Sequence, residues 1–220
     1  MPLLDREAIA FDNRGTGLLN SEQARRTIAE LAEDALAEVD APADIVGLSM
    51  GGYAALTIAL SKPEAVRSLV LAGTGAGGPD RVPRPKHVAA AFLSALRLPY
   101  EEYARRTMPY TFAAGWADAN PERFEEILAA RLERPTPYST IEAHAEACYA
   151  FYRAGCEVEG IDTPTLVVHG SEDLIVPVEN GRMLAERIPG ARYVELPGRG
   201  HNLPLEEPER FAALIQEFLS

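Results

Sequence analysis

The chain reads as an α/β protein: a mostly parallel sheet of about five strands, flanked by helices and carrying a helical insertion. Two observations predict this. Short β-branched runs alternate with amphipathic helical patterns over residues 1–78 and again over 161–220. Between those stretches, residues 79–160 hold helical patterns and no convincing strand. The expected organisation is therefore an α/β core from 1–78 and 161–220, with 79–160 as a helical cap.

The strand candidates are AIAFD (8–12), ADIVGLS (43–49), RSLVLAG (67–73), PTLVVHG (164–170) and RYVELPG (192–198). After the first, Ile28, Leu31, Ala32, Ala35 and Val39 recur at helical spacing, and Asn20 with Gln23 offers a capping-box-like start. In the insertion, Asn120–Pro121 reads as an N-cap followed by proline at the first helical position. Ser139 with Glu142 reads as a capping box. Of the 16 aromatic residues, 11 fall in 79–160, which suits either an apolar underside placed over a site or a small core of its own. The last helix, roughly 208–219, buries Phe211, Leu214, Ile215 and Phe218 by the same spacing.

With 220 residues the chain fits one domain carrying a large insertion. A net charge of −12 argues against nucleic acid and anionic membrane as partners, because both require a basic face. No apolar run approaches a membrane span, and the N-terminus lacks the basic-then-apolar order of a signal peptide. Cys148 and Cys156 lack C-x-x-C spacing and read as reduced packing residues. A cytoplasmic protein acting on a small molecule is expected, and an uncovered sheet edge would favour a homodimer.

The chemistry begins at Gly47-Leu48-Ser49-Met50-Gly51, a G-x-S-x-G run between the strand ADIVGLS and the apolar helix pattern YAALTIAL. A sharp strand-to-helix turn would crowd side chains two residues either side of the serine, and glycines at 47 and 51 remove them. Ser49 would then stand at the carboxyl edge of the sheet as a nucleophile. The Met50 N–H, at a helix start, would face a developing oxyanion. A serine needs a base, and the base needs a group to hold its tautomer. Among the four histidines His201 is the candidate, since it follows strand RYVELPG in the glycine-bearing segment GRGHNLP and could swing over the sheet edge. His87, His144 and His169 read as packing or solvated residues. Asp173 is the preferred acid and Glu172 its rival, both directly after TLVVHG. Gly73-Thr74-Gly75-Ala76-Gly77-Gly78 matches G-x-G-x-x-G after a strand. However, Pro79, Pro83 and Pro85 follow, so no helix can start at the glycines to face a dinucleotide.

Taken together, FDNRGTG (11–17), GLSMGG (47–52), SLVLAGT (68–74), VVHGSEDLIVP (167–177) and LPGRGHNLPLEEPERF (196–211) resemble the α/β-hydrolase superfamily, in its enol-lactonase, carboxylesterase and perhydrolase-like branches. The resemblance implies no metal and no organic cofactor. With serine at 49 it implies cleavage of esters, lactones, thioesters or amides. Family members normally place three strands and a His-Gly loop before their FDNRGTG equivalent, and that loop gives the second oxyanion N–H. Here only seven residues precede AIAFD, so the fold reads as N-terminally shortened and Met50 is the one identifiable donor. Buried ladder groups need partners, so AIAFD is expected to slide beside ADIVGLS. The rivals are a partner chain in that slot or a shortened version of a longer protein. The expected activity is hydrolysis of a small, fairly apolar carboxylic ester or lactone through an acyl-enzyme. The alternative is a non-catalytic binder, or a weakly active hydrolase with an incomplete oxyanion hole.

Overall fold

A computed structural model describes residues 3–39 and 42–220. Four parallel strands form one sheet in the order β1-β2-β3-β4: β1 (Ala43–Leu48), β2 (Val66–Ala72), β3 (Thr165–Gly170) and β4 (Arg192–Leu196). Helices α1 (Ile28–Ala37) and α2 (Met50–Ser61) flank β1 in the chain. Between β2 and β3 come α3 (Lys86–Ala95), α4 (Tyr100–Thr107), α5 (Trp116–Ala119), α6 (Pro121–Glu133) and α7 (Tyr138–Ala154), with no strand among them. The C-terminal third adds α8 (Val178–Arg187), α9 (Leu203–Glu206) and α10 (Pro208–Phe218). No helix is long and apolar enough to cross a membrane among the described residues.

The central strands are buried on both faces, which is why they read as unbroken apolar runs. Successive side chains go to opposite sides. Leu69, Leu71 and Val167 join a core with α1, α2, α7 and α8, while Val70, Ala72, Leu166 and Val168 pack against Leu203, Phe211 and Ile215. A third cluster lies wholly in the helical insertion apart from Leu205: Ala104, Met108, Phe112, Phe124 and Leu128. Three of the insertion's aromatics, Phe112, Trp116 and Phe124, are used here, Phe112 stacking on Trp116 with centroids 4.4 Å apart. Helix α7 instead packs on the sheet side, where Phe151 stacks on Tyr53 of α2 at 4.5 Å.

The sheet has four strands where about five are expected, and AIAFD is not among them. Among the described residues, 8–12 pair with no strand, Ile9 and Phe11 are 56% and 40% exposed, and β1 is an edge strand. The cause lies just after it. The Asp12 carboxylate accepts the Leu18 N–H at 2.8 Å, and the Gly15 N–H reaches Leu19 O at 2.9 Å, so FDNRGTG closes into a turn. The preceding chain is tethered by a side chain rather than a ladder, through Arg6 to Asp44 at 3.4 Å. Among the described residues no strand therefore pairs with the outer edge of β1.

Helix starts also differ from expectation. Residue Asn20 ends a short 3₁₀ turn, and α1 begins eight residues later, at Ile28 behind Thr27. There Thr27 Oγ1 accepts the Glu30 N–H at 3.2 Å and Glu30 accepts the Thr27 N–H at 3.0 Å, a complete capping box. Ser139 lies inside α7, whose start is set by Pro137. Helix α6 does start at Pro121, although the Asn120 amide donates to Trp116 O instead of capping. Removing the one complete box should be measurable: Thr27→Ala is expected to cost about 1 kcal/mol in urea unfolding, with the unfolding slope unchanged.

Candidate active site

Ser49 sits between β1 and α2 with φ 54°, the one non-glycine residue at positive φ among the described residues. Such a conformation costs on the order of 1–3 kcal/mol and persists only where neighbours over-determine it. The neighbours are visible. Ser49 N–H donates to Ala72 O at 2.9 Å, extending the β1–β2 ladder, and Ser49 O accepts from Thr74 Oγ1 at 3.0 Å and from the Gly52 N–H at 2.9 Å. The hydroxyl therefore stands at the carboxyl edge of the sheet, part-exposed. Beside it are the first N–H groups of α2, starting at Met50, which helix geometry leaves without helical partners.

The glycine requirement is partly as expected. A Cβ at Gly47 would lie 2.5 Å from Gly51 O, a backbone atom that cannot yield. At Gly51 it would meet nothing within 4 Å, so the expected crowding there is absent. Gly52 takes that place, because its Cβ would fall 2.5 Å from the Thr74 side chain that holds Ser49 O.

The acid side is assembled by the turn after β3. Asp173 is 5% exposed, and its Oδ1 accepts the Ile175 and Val176 N–H groups, each at 2.8 Å. Its Oδ2 lies 2.7 Å from His201 Nδ1 and 3.3 Å from His169 Nε2. Burial pushes this carboxyl up. The His201 imidazole, together with hydrogen bonds from His169 and His201, outweighs burial and holds it well below the usual carboxylate range. With the carboxylate ionised, His201 Nδ1 must donate, which leaves Nε2 as the basic nitrogen. Glu172 is exposed and accepts from the Ala114 N–H at 3.2 Å, away from the imidazole.

His169 was read from sequence as a packing residue, yet it forms the floor of this site. Its Nε2 is 2.8 Å from Val176 O, and a carbonyl only accepts, so Nε2 carries the proton and also points at Asp173. Its Nδ1 is buried without a partner among the described residues, and a Cβ on Gly181 would come within 2.1 Å of it. The available signal was a histidine on a fully buried strand, four residues before the candidate acid.

His201 does not sit on a swinging loop. The Asn202 N–H donates to Thr111 O at 2.8 Å and its amide to Thr111 Oγ1 at 2.7 Å. The Gly200 N–H is held by Glu206 at 2.9 Å, and a Cβ on Gly200 would strike the Phe112 carbonyl carbon at 2.3 Å. The end of β2 links the two halves. A Cβ on Gly73 would be 3.2 Å from His201 Nδ1 and 3.4 Å from Asp173 Oδ2, and the next residue, Thr74, bonds Ser49 O. Ser49, Asp173 and His201 thus gather where β1, β3 and β4 end. Ser49 Oγ makes no hydrogen bond to His201, a contact that free enzymes commonly tighten only around substrate. The G-x-G-x-x-G run is turn rather than helix start: Gly73, Gly77 and Gly78 have positive φ, and the next helix waits until Lys86.

A model of the alpha/beta hydrolase family matches residues 1–214. The chain belongs to that family. Its relatives include the pimeloyl-[acyl-carrier protein] methyl ester esterase of Neisseria meningitidis serogroup B, 32% identical over 87% of this chain and 74% of that one. Among solved structures, the enol-lactonase of Burkholderia xenovorans LB400 is similar with a TM-score of 0.75 and 29% identity, over 94% of this chain and 78% of that one. A thermophilic esterase from Thermogutta terrifontis is similar with a TM-score of 0.76 and 26% identity, over 94% and 77%. This alpha/beta hydrolase holds no cluster of three or more His, Cys, Asp or Glu suited to a metal among the described residues.

Two measurements follow from this geometry. Gly47→Ala should destabilise by about 1–3 kcal/mol through overpacking, whereas Gly51→Ala should be neutral or stabilising by up to about 1 kcal/mol. Equal melting of the two variants would contradict the packing at the turn. The depressed Asp173 carboxyl contributes stability that is full above its unfolded value of about 3.9 and is lost as pH falls through its lower folded value. Unfolding free energy measured below pH 4, approximately, should therefore fall less steeply for Asp173→Asn than for the wild type.

Proposed function

We propose that this hydrolase cleaves a carboxylic ester or lactone through an acyl-enzyme on Ser49, with His201 as base and Asp173 as its orienting acid. The observation that carries the reading is the buried Asp173–His201 pair at 2.7 Å, facing the same strand ends as a strained, part-exposed serine. The relatives named above support the bond type. Ser49 Oγ attacks the carbonyl carbon while His201 Nε2 takes its proton. Asp173 keeps Nδ1 protonated and stabilises the imidazolium. The Met50 N–H, at the positive end of α2, faces the oxyanion of the tetrahedral intermediate. Collapse expels the alcohol, protonated by His201, and a water activated by the same nitrogen releases the acid.

Residues 79–160 act in this reading as a cap whose helices bound the substrate, since Thr111 and Phe112 abut the His201 loop and α7 covers Tyr53. Two free thiols, each pushed up to about 11 by burial, suit a reducing cytoplasm.

A fluorophosphonate probe should label Ser49, and Ser49→Ala should abolish both labelling and hydrolysis of short aryl esters while melting like the wild type. Ser49→Gly should be equally inactive but more stable by about 1 kcal/mol, because glycine carries no penalty at positive φ. Asp173→Asn should lower kcat by orders of magnitude, roughly 10⁴-fold in the best-studied triad, and Glu172→Gln should leave it nearly unchanged. The reverse ranking would reject Asp173 as the acid.

A further inference from the structure

The chain is acidic, and most of its arginines end on carboxylates, as Arg25 does on Asp34 at 2.7 Å and Arg182 on Glu195 at 2.8 Å. Arg84 does not. It lies in the stretch between β2 and α3, part-buried, and forms no ion pair among the described residues. Its Nε donates to Ile175 O at 3.2 Å, and its guanidinium carbon lies 5.0 Å from the centre of the Phe92 ring. The four N–H bonds on its two terminal nitrogens find no protein acceptor among the described residues.

The location gives this meaning. Ile175 is the residue whose N–H holds Asp173 Oδ1 at 2.8 Å, so the guanidinium is tied to the acid turn. Tyr53 of α2, one turn along from Ser49, is near enough to couple electrostatically with it, as are Cys148 and Tyr152 of α7. None of those three neutralises it. Burial pushes the Tyr53 and Tyr152 hydroxyls up and the Cys148 thiol up to about 11, so each is neutral at physiological pH. Asp173, the anion near it among the described residues, already accepts three hydrogen bonds, with His169 Nε2 a further 3.3 Å contact. Enclosure itself works against the cation, lowering the Arg84 pKa. A half-buried charge without a counter-ion is poorly compensated, and a guanidinium with its fork unoccupied matches a carboxylate bidentately.

We propose that Arg84 anchors a carboxylate on the substrate, so that the preferred substrates are half-esters of dicarboxylic acids or lactones with a pendent carboxylate. This rests on the serine-hydrolase reading and narrows its substrate class from a fairly apolar ester to an anionic one. The ester is held at Ser49 by one end of the molecule and the charge at Arg84 by the other. The anchor holds ground state and transition state alike, so its loss should appear mainly in KM.

The test compares kcat/KM on pairs matched in shape. For a charge on the acyl side, para-nitrophenyl half-esters of succinic, glutaric and adipic acids are set against neutral para-nitrophenyl esters of equal chain length. For a charge on the leaving side, butanoyl esters of para-hydroxybenzoate are set against those of para-hydroxybenzamide. The wild type should prefer the charged member of at least one pair by about 10- to 100-fold, the range of a hydrogen bond to a charged group. Arg84→Met should erase that preference through KM, losing more on the charged member of the pair than on the neutral one, and Arg84→Lys should keep part of it. No preference in the wild type, or equal losses on both members in Arg84→Met, would overturn the proposal and leave Arg84 as a brace on Ile175. Failure of the hydrolase reading is separable, since Ser49 would then resist the fluorophosphonate and neutral esters would not turn over. In that event binding decides. Glutarate should raise the melting temperature of Ser49→Ala but not of Ser49→Ala/Arg84→Met, and an equal response in both would overturn the anchor.

Discussion

Three hydrogen bonds and a second imidazole converge on the Asp173 carboxylate, and the rest of the site is arranged around keeping that buried charge ionised. Two backbone N–H groups from its own turn hold Oδ1 at 2.8 Å, and two imidazoles from different elements address Oδ2. A carboxylate this deep could not remain charged without them. Each donor fixes something further. His169 ties β3 to Val176 and so sets the course of the acid turn. His201 is held in one tautomer with its second nitrogen free. The turn's Ile175 carbonyl carries the Arg84 guanidinium.

Opposite that charge stands a strained serine, and the two are kept in register by the end of β2. Gly73 leaves the imidazole and carboxylate room to approach, while Thr74 grips the Ser49 carbonyl. Neither residue need touch a substrate to matter. A bulkier residue at 73 would push apart the pair that the carboxylate holds together. Loss of the Thr74 hydroxyl would remove one of the few restraints on an unfavourable backbone conformation.

Much of this was legible in the sequence because the central strands are buried on both faces. Leu69–Ala72 and Leu166–Val168 can be unbroken apolar runs only if neither side of them meets water. The serine turn was legible because glycines and an apolar helix must follow one another in that order. AIAFD was misread because five residues of alternating size are compatible with a strand or an extended loop, and the Asp12–Leu18 bond that decides between them is not a periodic signal. Thr27-Ile28-Ala29-Glu30 carries the hydroxyl and carboxylate of a capping box, whereas Asn20 with Gln23 matches it only by type. His169 and Arg84 were illegible for another reason. Each is defined by what lies beside it in space, and Arg84 and Ile175 are 91 positions apart in the chain.

The clamp between Asn202 and Thr111 joins the loop that carries the imidazole to the helical insertion by two hydrogen bonds. Close packing of Gly200 against Phe112 reinforces that seam. A displacement of residues 108–113 would therefore be felt at the loop that carries His201, so the insertion and the imidazole are mechanically linked although they lie far apart in the chain.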